Sequence, residues 1–318
     1  NVANVLRIRD IKSDVGELKS ISLMPDFVRL RDFLRYQGYL SYLPLLERLQ
    51  QYDALYSSHA PYLAYLSNRP YLVAQNGGDI WYEAARDDVI GRLQRLAFLK
   101  GSAFLASNPW SFAHARRYGM NNMLYVPMML DQDDYSPGED AIRKEWESQS
   151  GGDFFVLSTA RQDDRVKGTT MAIDAFQSFS SDHPGARLVI CAWGNDHQQY
   201  LETFRERGIA DKVIILPLSG KKRVVKYLRA ADCLLDQFVI GYFGATALEA
   251  MACGLPVIMR LEDAHYAAIC ETGAPPILNA ATKDEIEMHL RTLFSYPERR
   301  LESGVLLREW FIDNHGSE

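Results

Sequence analysis

One segment limits the fold of this chain more than any other: a glycine-framed loop followed by a short apolar helix and an apolar strand. It reads GYFGATALEAMACGLPVI over residues 241–258. The pattern predicts a helix that begins at Ala245 or Thr246, just after Gly244, and ends at a second glycine, the usual residue after a helix C-terminus. The first turn of such a helix presents unpaired N–H groups, which favour an anion in the loop. Glu249 then lies about one turn inside the helix, within reach of hydroxyls on a ligand whose phosphates lie at the helix start.

Apolar strands and amphipathic helices alternate upstream of this segment. The stretch 186–196 predicts a strand that runs into Gly194, 212–220 predicts a strand and a turn, and 233–238 predicts a third strand. Helices are predicted between these strands. This alternation indicates βαβ units around a parallel sheet, and the ligands of such sheets bind at the carboxyl ends of the strands. Gly194 and the 241–249 loop both follow predicted strands, so we expect them at one edge of one sheet. The alternative is a packing unit in which Glu249 is a solvated surface residue.

The 241–258 segment resembles the signature of the retaining glycosyltransferases of family 4, E-G-F-G-L-P-x-L-E-A-M-A-x-G-x-P-V-I. The flanking DQFVIGYFG, residues 236–244, is similar to a subgroup with D-Q-x-x-I-G-x-x-G in this loop. The resemblance implies that Glu249 binds the ribose of a nucleotide sugar. Gly241 stands where the family has its first Glu. The residues expected to bind the donor are Gly194, Gly241, Tyr242, Phe243, Gly244, Ala245, Thr246 and Glu249.

A second stretch, FFVLSTARQDDRVKGTTMAIDAF at 154–176, predicts a buried strand, a polar loop and a helix. It resembles the family's G-R-L-x-x-x-K-G, whose Arg and Lys hold the donor diphosphate. Arg161 and Lys167 match those positions, with one extra residue between them. Because sugar transfer leaves negative charge on the departing diphosphate, a guanidinium and an ammonium group would stabilise that charge. Arg165, in the same loop, is expected to be an ordinary surface residue.

The N-terminal part carries fewer motifs. QYDALYSSHAPYLAYL at 51–66 resembles the family's strand and helix around a His, which places His59 at a strand end. RPYLVAQNGGDIWYEA at 69–84 resembles the next strand and an H-G-x-D loop, in which Asn76 replaces the family's His and Asp79 follows. Asn76 can donate a hydrogen bond to a sugar hydroxyl but cannot titrate. The resemblance implies that Asn76 and Asp79 contact the reacting sugar.

The best candidate for a linker is the acidic stretch DQDDYSPGEDA at 131–141, which contains Pro and Gly. We therefore expect an acceptor-side Rossmann-like domain at 1–135 and a donor-binding Rossmann-like domain at 150–318. The start, NVANVLRIRD, resembles the helix that follows the family's first strand, so the first domain is expected to lack that strand. The family's long closing helix is also expected to be missing.

Composition excludes several classes of function. A net charge of −6 argues against nucleic acid as the main partner. No apolar run of about 18 residues exists, so no transmembrane segment is predicted, although peripheral membrane contact stays open. No metal motif and no G-x-G-x-x-G is found, so neither a metal site nor a dinucleotide dehydrogenase is predicted. The cysteines have no paired spacing and are expected to be reduced core residues: Cys191, Cys233, Cys253 and Cys270.

The resemblance implies an α/β protein of the GT-B type, with two facing Rossmann-like domains and a cleft between them. It implies metal-independent transfer of a hexose from a nucleoside diphosphate sugar, with retention, to a glycan, lipid or small-molecule acceptor. No cofactor is expected beyond that donor substrate, and the expected location is the cytoplasm, with the inner face of the membrane left open. Two alternatives remain: a non-catalytic nucleotide-sugar-binding protein, in which Gly241 and Asn76 mark lost chemistry, and a nucleotide-sugar epimerase.

Overall fold

A computed structural model describes residues 43–317, except 59, 76 and 195. The chain divides into two compact units, Asn1–Pro127 and Met128–Glu318. The division lies at 127/128 rather than within the 131–141 stretch, which belongs to the second unit. In the part of the chain that the structure describes, no helix is long and apolar enough to cross a membrane.

The first unit contains a four-stranded parallel sheet with the order β1-β2-β3-β4. Its described elements are α1 Leu43–Leu49, β1 Leu55–Ser57, α2 Pro61–Leu66, β2 Tyr71–Gln75, a π-helical turn Asp79–Glu83, α3 Val89–Lys100, β3 Ala103–Ala106, α4 Trp110–Arg117 and β4 Met123–Tyr125. Helix α3 packs on the sheet through Phe98, whose ring meets Phe104 edge to face at 5.3 Å. The π-helical turn that carries Asp79 is the next described element after β2.

The second unit contains a six-stranded parallel sheet with the order β10-β9-β8-β5-β6-β7. Its elements are α5 Ile142–Ser150, β5 Phe154–Ser158, α6 Asp164–Lys167, α7 Thr169–Asp182, β6 Ala186–Cys191, α8 His197–Glu206, a 3-10 turn Ala210–Lys212, β7 Val213–Leu216, α9 Lys221–Ala230, β8 Cys233–Leu235, α10 Ala245–Ala252, β9 Val257–Met259, α11 Asp263–Ala267, β10 Leu278–Asn279, α12 Lys283–Ser295 and α13 Pro297–His315. The predicted alternation of strands and helices is confirmed. All four cysteines are buried and free, as predicted.

Helices on the sheet make the core of the second unit. Phe154 of β5 lies against Phe179 of α7 and Phe294 of α12, with ring centroids 5.8 Å and 5.4 Å away. Burying a side chain of this size contributes about 1.5–3 kcal/mol relative to leaving it exposed. Strand β5 is buried throughout except at its last residue, because β8 and β6 pair with it on either side. Because these strands are parallel, the loops that follow β5, β6, β8 and β9 leave the sheet at the same edge.

The last described helix, α13, forms hydrogen bonds to the first residues of the second unit. Arg308 donates hydrogen bonds to the backbone carbonyls of Gln132 (2.9 Å), Tyr135 and Ala252. The backbone N–H of Leu130 donates to the carbonyl of His315 at 3.1 Å. The segment that precedes α5 is thus attached to the unit by the end of the described chain.

Candidate functional site

The loop after β5 carries the first predicted cation. Arg161 is nearly half exposed, and its Nη2 atom donates to Asp163 Oδ2 at 2.8 Å. The Asp163 side chain is 14% exposed, but the guanidinium itself is open to solvent, where an ion pair contributes about 0–1 kcal/mol. The guanidinium is therefore free to exchange Asp163 for a stronger anion.

Lys167 ends α6, and its side chain is only 16% exposed. Its Nζ atom donates to Asp236 Oδ1 at 2.9 Å and to Gln237 Oε1 at 2.7 Å. The backbone carbonyl of Lys167 also accepts from the N–H of Phe238 at 2.9 Å. Three hydrogen bonds thus connect Lys167, in the segment after β5, to the start of the glycine loop at 236–244. The residues that they connect lie about 70 positions apart in the sequence.

The glycine loop is held from within. Gln237 Nε2 donates to the carbonyl of Tyr242. Phe243 is buried, its ring stacks on Tyr266 at 5.0 Å, and its N–H donates to the Tyr266 hydroxyl at 3.3 Å. Phe243 therefore supports the loop through its ring, and its contact with a donor stays a prediction.

Helix α10 begins at Ala245, directly after Gly244, as predicted. A Cβ atom at Gly244 would meet nothing within 4 Å, so this position borders open space. Ala245 and Thr246 are partly exposed in the first turn, whose N–H groups have no partner within the helix. The helix start is therefore accessible to an anion, although anion binding here stays a prediction.

Glu249 lies one turn inside α10 and is 2% exposed. Its Oε1 atom forms an ion pair with Nζ of Lys221, the first residue of α9. The Tyr135 hydroxyl also hydrogen-bonds Glu249, and burial together with this negative charge raises the pKa of Tyr135 to about 12. Glu249 is thus not the solvated surface residue of the alternative interpretation.

Sequence reasoning missed Lys221, although a signal was present. Lys221, Lys222 and Arg223 open α9. Cations are unfavourable at a helix N-terminus, because the aligned peptide dipoles put partial positive charge there. A run that breaks this rule points to a nearby anion, and the structure shows that Glu249 is that anion for Lys221.

Gly194 follows β6 and has a positive φ of 120°. A Cβ atom there would lie 2.3 Å from the backbone oxygen of Gln162. Trp193 Nε1 donates to the Thr159 carbonyl at 3.0 Å, so the loops after β5 and β6 are joined. The glycine is required by this close approach of two backbones, and its predicted role in donor binding is untested.

In the first unit, Asp79 is 7% exposed and begins the π-helical turn after β2. The predicted site residue Asn76 lies outside the described residues, as does His59. The roles of Asn76 and Asp79 toward a sugar therefore stay predictions.

Carboxylates near the loops are already engaged. Asp163 pairs with Arg161, and Asp164 Oδ1 accepts from the N–H of Thr170 at 2.8 Å. Within the described ranges, no group of three or more His, Cys, Asp and Glu side chains is arranged to hold a metal ion.

Known proteins resemble this chain in sequence and in fold. Residues 140–291 match the sequence model of the family described as glycosyl transferases group 1. The D-inositol 3-phosphate glycosyltransferase of Segniliparus rotundus is 24% identical over 178 residues, which cover 55% of this chain and 39% of that enzyme. The mannosylfructose-phosphate synthase of Agrobacterium fabrum is 28% identical over 152 residues, which cover 45% of this chain and 34% of that enzyme. The chain therefore spans less than two fifths of the length of either relative.

A crystal structure of HepE from Anabaena in complex with UDP and glucose has a TM-score of 0.71 to this chain at 16% identity. The similarity covers 88% of this chain and 78% of HepE. At this identity the likeness concerns the fold, and it agrees with the two parallel sheets described above. The chain has the GT-B fold of two Rossmann-like domains, and its residues 140–291 match the sequence model of the glycosyl transferases group 1 family.

Proposed function

We propose that this chain is a retaining, metal-independent glycosyltransferase that moves a hexose from a nucleoside diphosphate sugar to a glycan, lipid or small-molecule acceptor. The observation that carries this proposal is the joining of Lys167 to Asp236 and Gln237. These hydrogen bonds hold a cation beside a loop that ends in an accessible helix start, with the buried Glu249 one turn further on. Two cations, a helix start and a carboxylate suit a diphosphate attached to a ribose.

The chemistry would proceed as follows. The bond between the anomeric carbon and the diphosphate oxygen breaks, and negative charge grows on that oxygen. Arg161, Lys167 and the N–H groups of Ala245 and Thr246 would stabilise this charge. The acceptor hydroxyl forms the new bond to the anomeric carbon, and its proton passes to the departing phosphate, so no separate general base is needed.

Glu249 would accept hydrogen bonds from the ribose hydroxyls. Lys221 occupies this carboxylate in the structure, so the ribose would have to displace or join it. We also propose that the loop at 236–244 belongs to the D-Q-x-x-I-G-x-x-G subgroup, that Asn76 and Asp79 contact the reacting sugar, and that the enzyme works in the cytoplasm. The names of the relatives favour sugar or inositol phosphates among the small-molecule acceptors to be tried first.

The first experiment is a thermal-shift screen of uridine and guanosine diphosphate hexoses. A ligand at about 100 times its dissociation constant stabilises the folded state by about 2.7 kcal/mol. The binding sugar nucleotide is then incubated with acceptors, and NMR of the product anomeric proton should show retention. Nucleotide binding without product would favour a non-catalytic binding protein, and conversion of the donor without acceptor would favour an epimerase. If no sugar nucleotide binds, the proposal is wrong.

Arg161 and Arg165 make a matched pair for the second experiment, because both are exposed arginines of the same loop region. Arg161→Ala should lower turnover by about 100-fold, comparable to removing one oxyanion donor. Arg165→Ala should leave turnover unchanged. Equal turnover of the two variants would remove Arg161 from the mechanism.

A further inference from the structure

The space beside Gly241, at the start of the glycine loop, is filled by a side chain from another element. A Cβ atom at Gly241 would lie 2.4 Å from Cγ of Glu262 and 2.9 Å from its Oε1 atom. Gly241 is not among the glycines with a positive φ, so its backbone conformation does not itself demand glycine. A side chain at position 241 would therefore clash with the Glu262 side chain, which occupies that place.

Glu262 is positioned by the sheet. It follows β9, which pairs with β8, the strand that leads into the glycine loop. Its N–H donates to the carbonyl of Gly241 at 2.9 Å. Glu262 and Gly241 therefore share the sheet edge where the loops of Arg161 and Gly194 also lie.

Two neighbouring side chains orient the carboxylate of Glu262, and the carboxylate can still accept further hydrogen bonds. Its Oε1 atom accepts from Arg260 Nη2 at 3.2 Å, and its Oε2 atom lies 3.1 Å from His265 Nε2. Each carboxylate oxygen has a second lone pair, and the side chain is 38% exposed. Glu262 precedes α11, yet its side chain makes no capping hydrogen bond to that helix. Two neighbours thus hold a charged acceptor at the loop while part of it stays in contact with solvent.

We propose that Glu262 accepts hydrogen bonds from hydroxyls of the hexose in the donor, in the place that a side chain at position 241 would otherwise take. This inference rests on the proposed function, because it needs a nucleotide sugar in the 241–246 loop. Glu249, buried in α10, would then bind the nucleotide, and Glu262, at the other end of the loop, would select the sugar. Hydrogen bonds between a hydroxyl and a charged acceptor are stronger than neutral ones, so the carboxylate should contribute to discrimination between sugars.

The test compares two ligands on one variant. Glu262→Gln keeps the shape of the side chain and removes its charge. Calorimetry should show that affinity for the nucleoside diphosphate alone changes less than twofold, while affinity for the nucleoside diphosphate hexose falls by about tenfold or more. Glu271→Gln, an exposed glutamate beyond α11, is the matched control and should change neither affinity. A merely structural role of Glu262 would change both affinities together.

A second variant tests the position of the Glu262 side chain without changing its carboxylate. Gly241→Ala introduces a methyl group that pushes the Glu262 side chain aside, so it should cause the same selective loss for the hexose ligand. The double variant Gly241→Ala/Glu262→Gln should be no weaker than the worse single variant. Equal hexose affinity of wild type and Glu262→Gln would overturn the inference and leave the proposed function intact. If the wild type bound no sugar nucleotide, both would be overturned.

Discussion

The ion pair between Lys167 and Asp236 should make Lys167 matter for stability as well as for catalysis. The Asp236 side chain is fully buried and lies 2.9 Å from Nζ of Lys167. Among the described residues, the Oδ2 atom of Asp236 has no hydrogen-bond partner. Lys167→Met would leave this charge buried without its ionic partner, which costs about 3–5 kcal/mol. Arg161→Met, which breaks a pair whose arginine is open to solvent, should cost about 0–1 kcal/mol.

Urea unfolding followed by circular dichroism measures both changes as shifts of the midpoint multiplied by the slope m. The double variant Lys167→Met/Asp236→Asn tests the cause directly, since a neutral amide removes the buried charge. We expect it to be more stable than Lys167→Met alone. If Lys167→Met cost less than about 1 kcal/mol, or if the double variant were no more stable, the buried-pair reasoning would be refuted. Turnover of Lys167 variants should accordingly be corrected for the folded fraction.

Three further predictions concern the ligand, the metal and pH. Glu249→Gln should weaken nucleoside diphosphate binding by about 1–2 kcal/mol in calorimetry and deoxyribose analogues much less, and equal losses would exclude a ribose contact. EDTA should leave the rate of transfer unchanged, whereas loss with EDTA and recovery with magnesium would require a metal in the mechanism. Burial lowers the pKa of His315 below its ordinary value of 6.5, so the unfolded chain takes up the proton first as the pH falls. Stability present above pH 6.5 should therefore decrease on acidification through that value, and a His315→Gln variant with an equally steep thermal-melting profile would contradict this.

Local patterns predicted most of the second unit. The strand at 154–158, the helix after Gly244 and the buried cysteines depend on periodicity or on neighbours within a few positions, and sequence displays both. The order of the strands, with β8 beside β5, follows from packing of the whole sheet and could not be read from any one segment.

The side-chain pairings of the candidate site were less accessible. Lys221 meets Glu249 across 28 positions, and Glu262 reaches Gly241 from the segment after β9, which comes later in the chain. In the sequence, Gly241 stands where the family has its first Glu, so a functional side chain looks simply absent there. In the structure, the Glu262 side chain fills the space that a side chain at position 241 would take. Only the short distance between these two residues in the folded chain reveals this. Phe243 likewise matches a ligand-loop pattern, while its ring belongs to the aromatic packing beneath the loop.

The attachment of residues 128–135 by helix α13 has a consequence for biosynthesis. Their carbonyls are bonded by Arg308 and His315, which lie 173 to 187 positions later in the chain. A ribosome releases the early segment long before these partners exist, and contacts of such separation form slowly because a long loop must close first. Until α13 is made, the helix that carries Glu249 also lacks the hydrogen bond from Arg308 to its last carbonyl. The second unit should therefore acquire its final packing only after residues 308–315 have left the ribosome, and until then part of its apolar surface stays exposed on the growing chain.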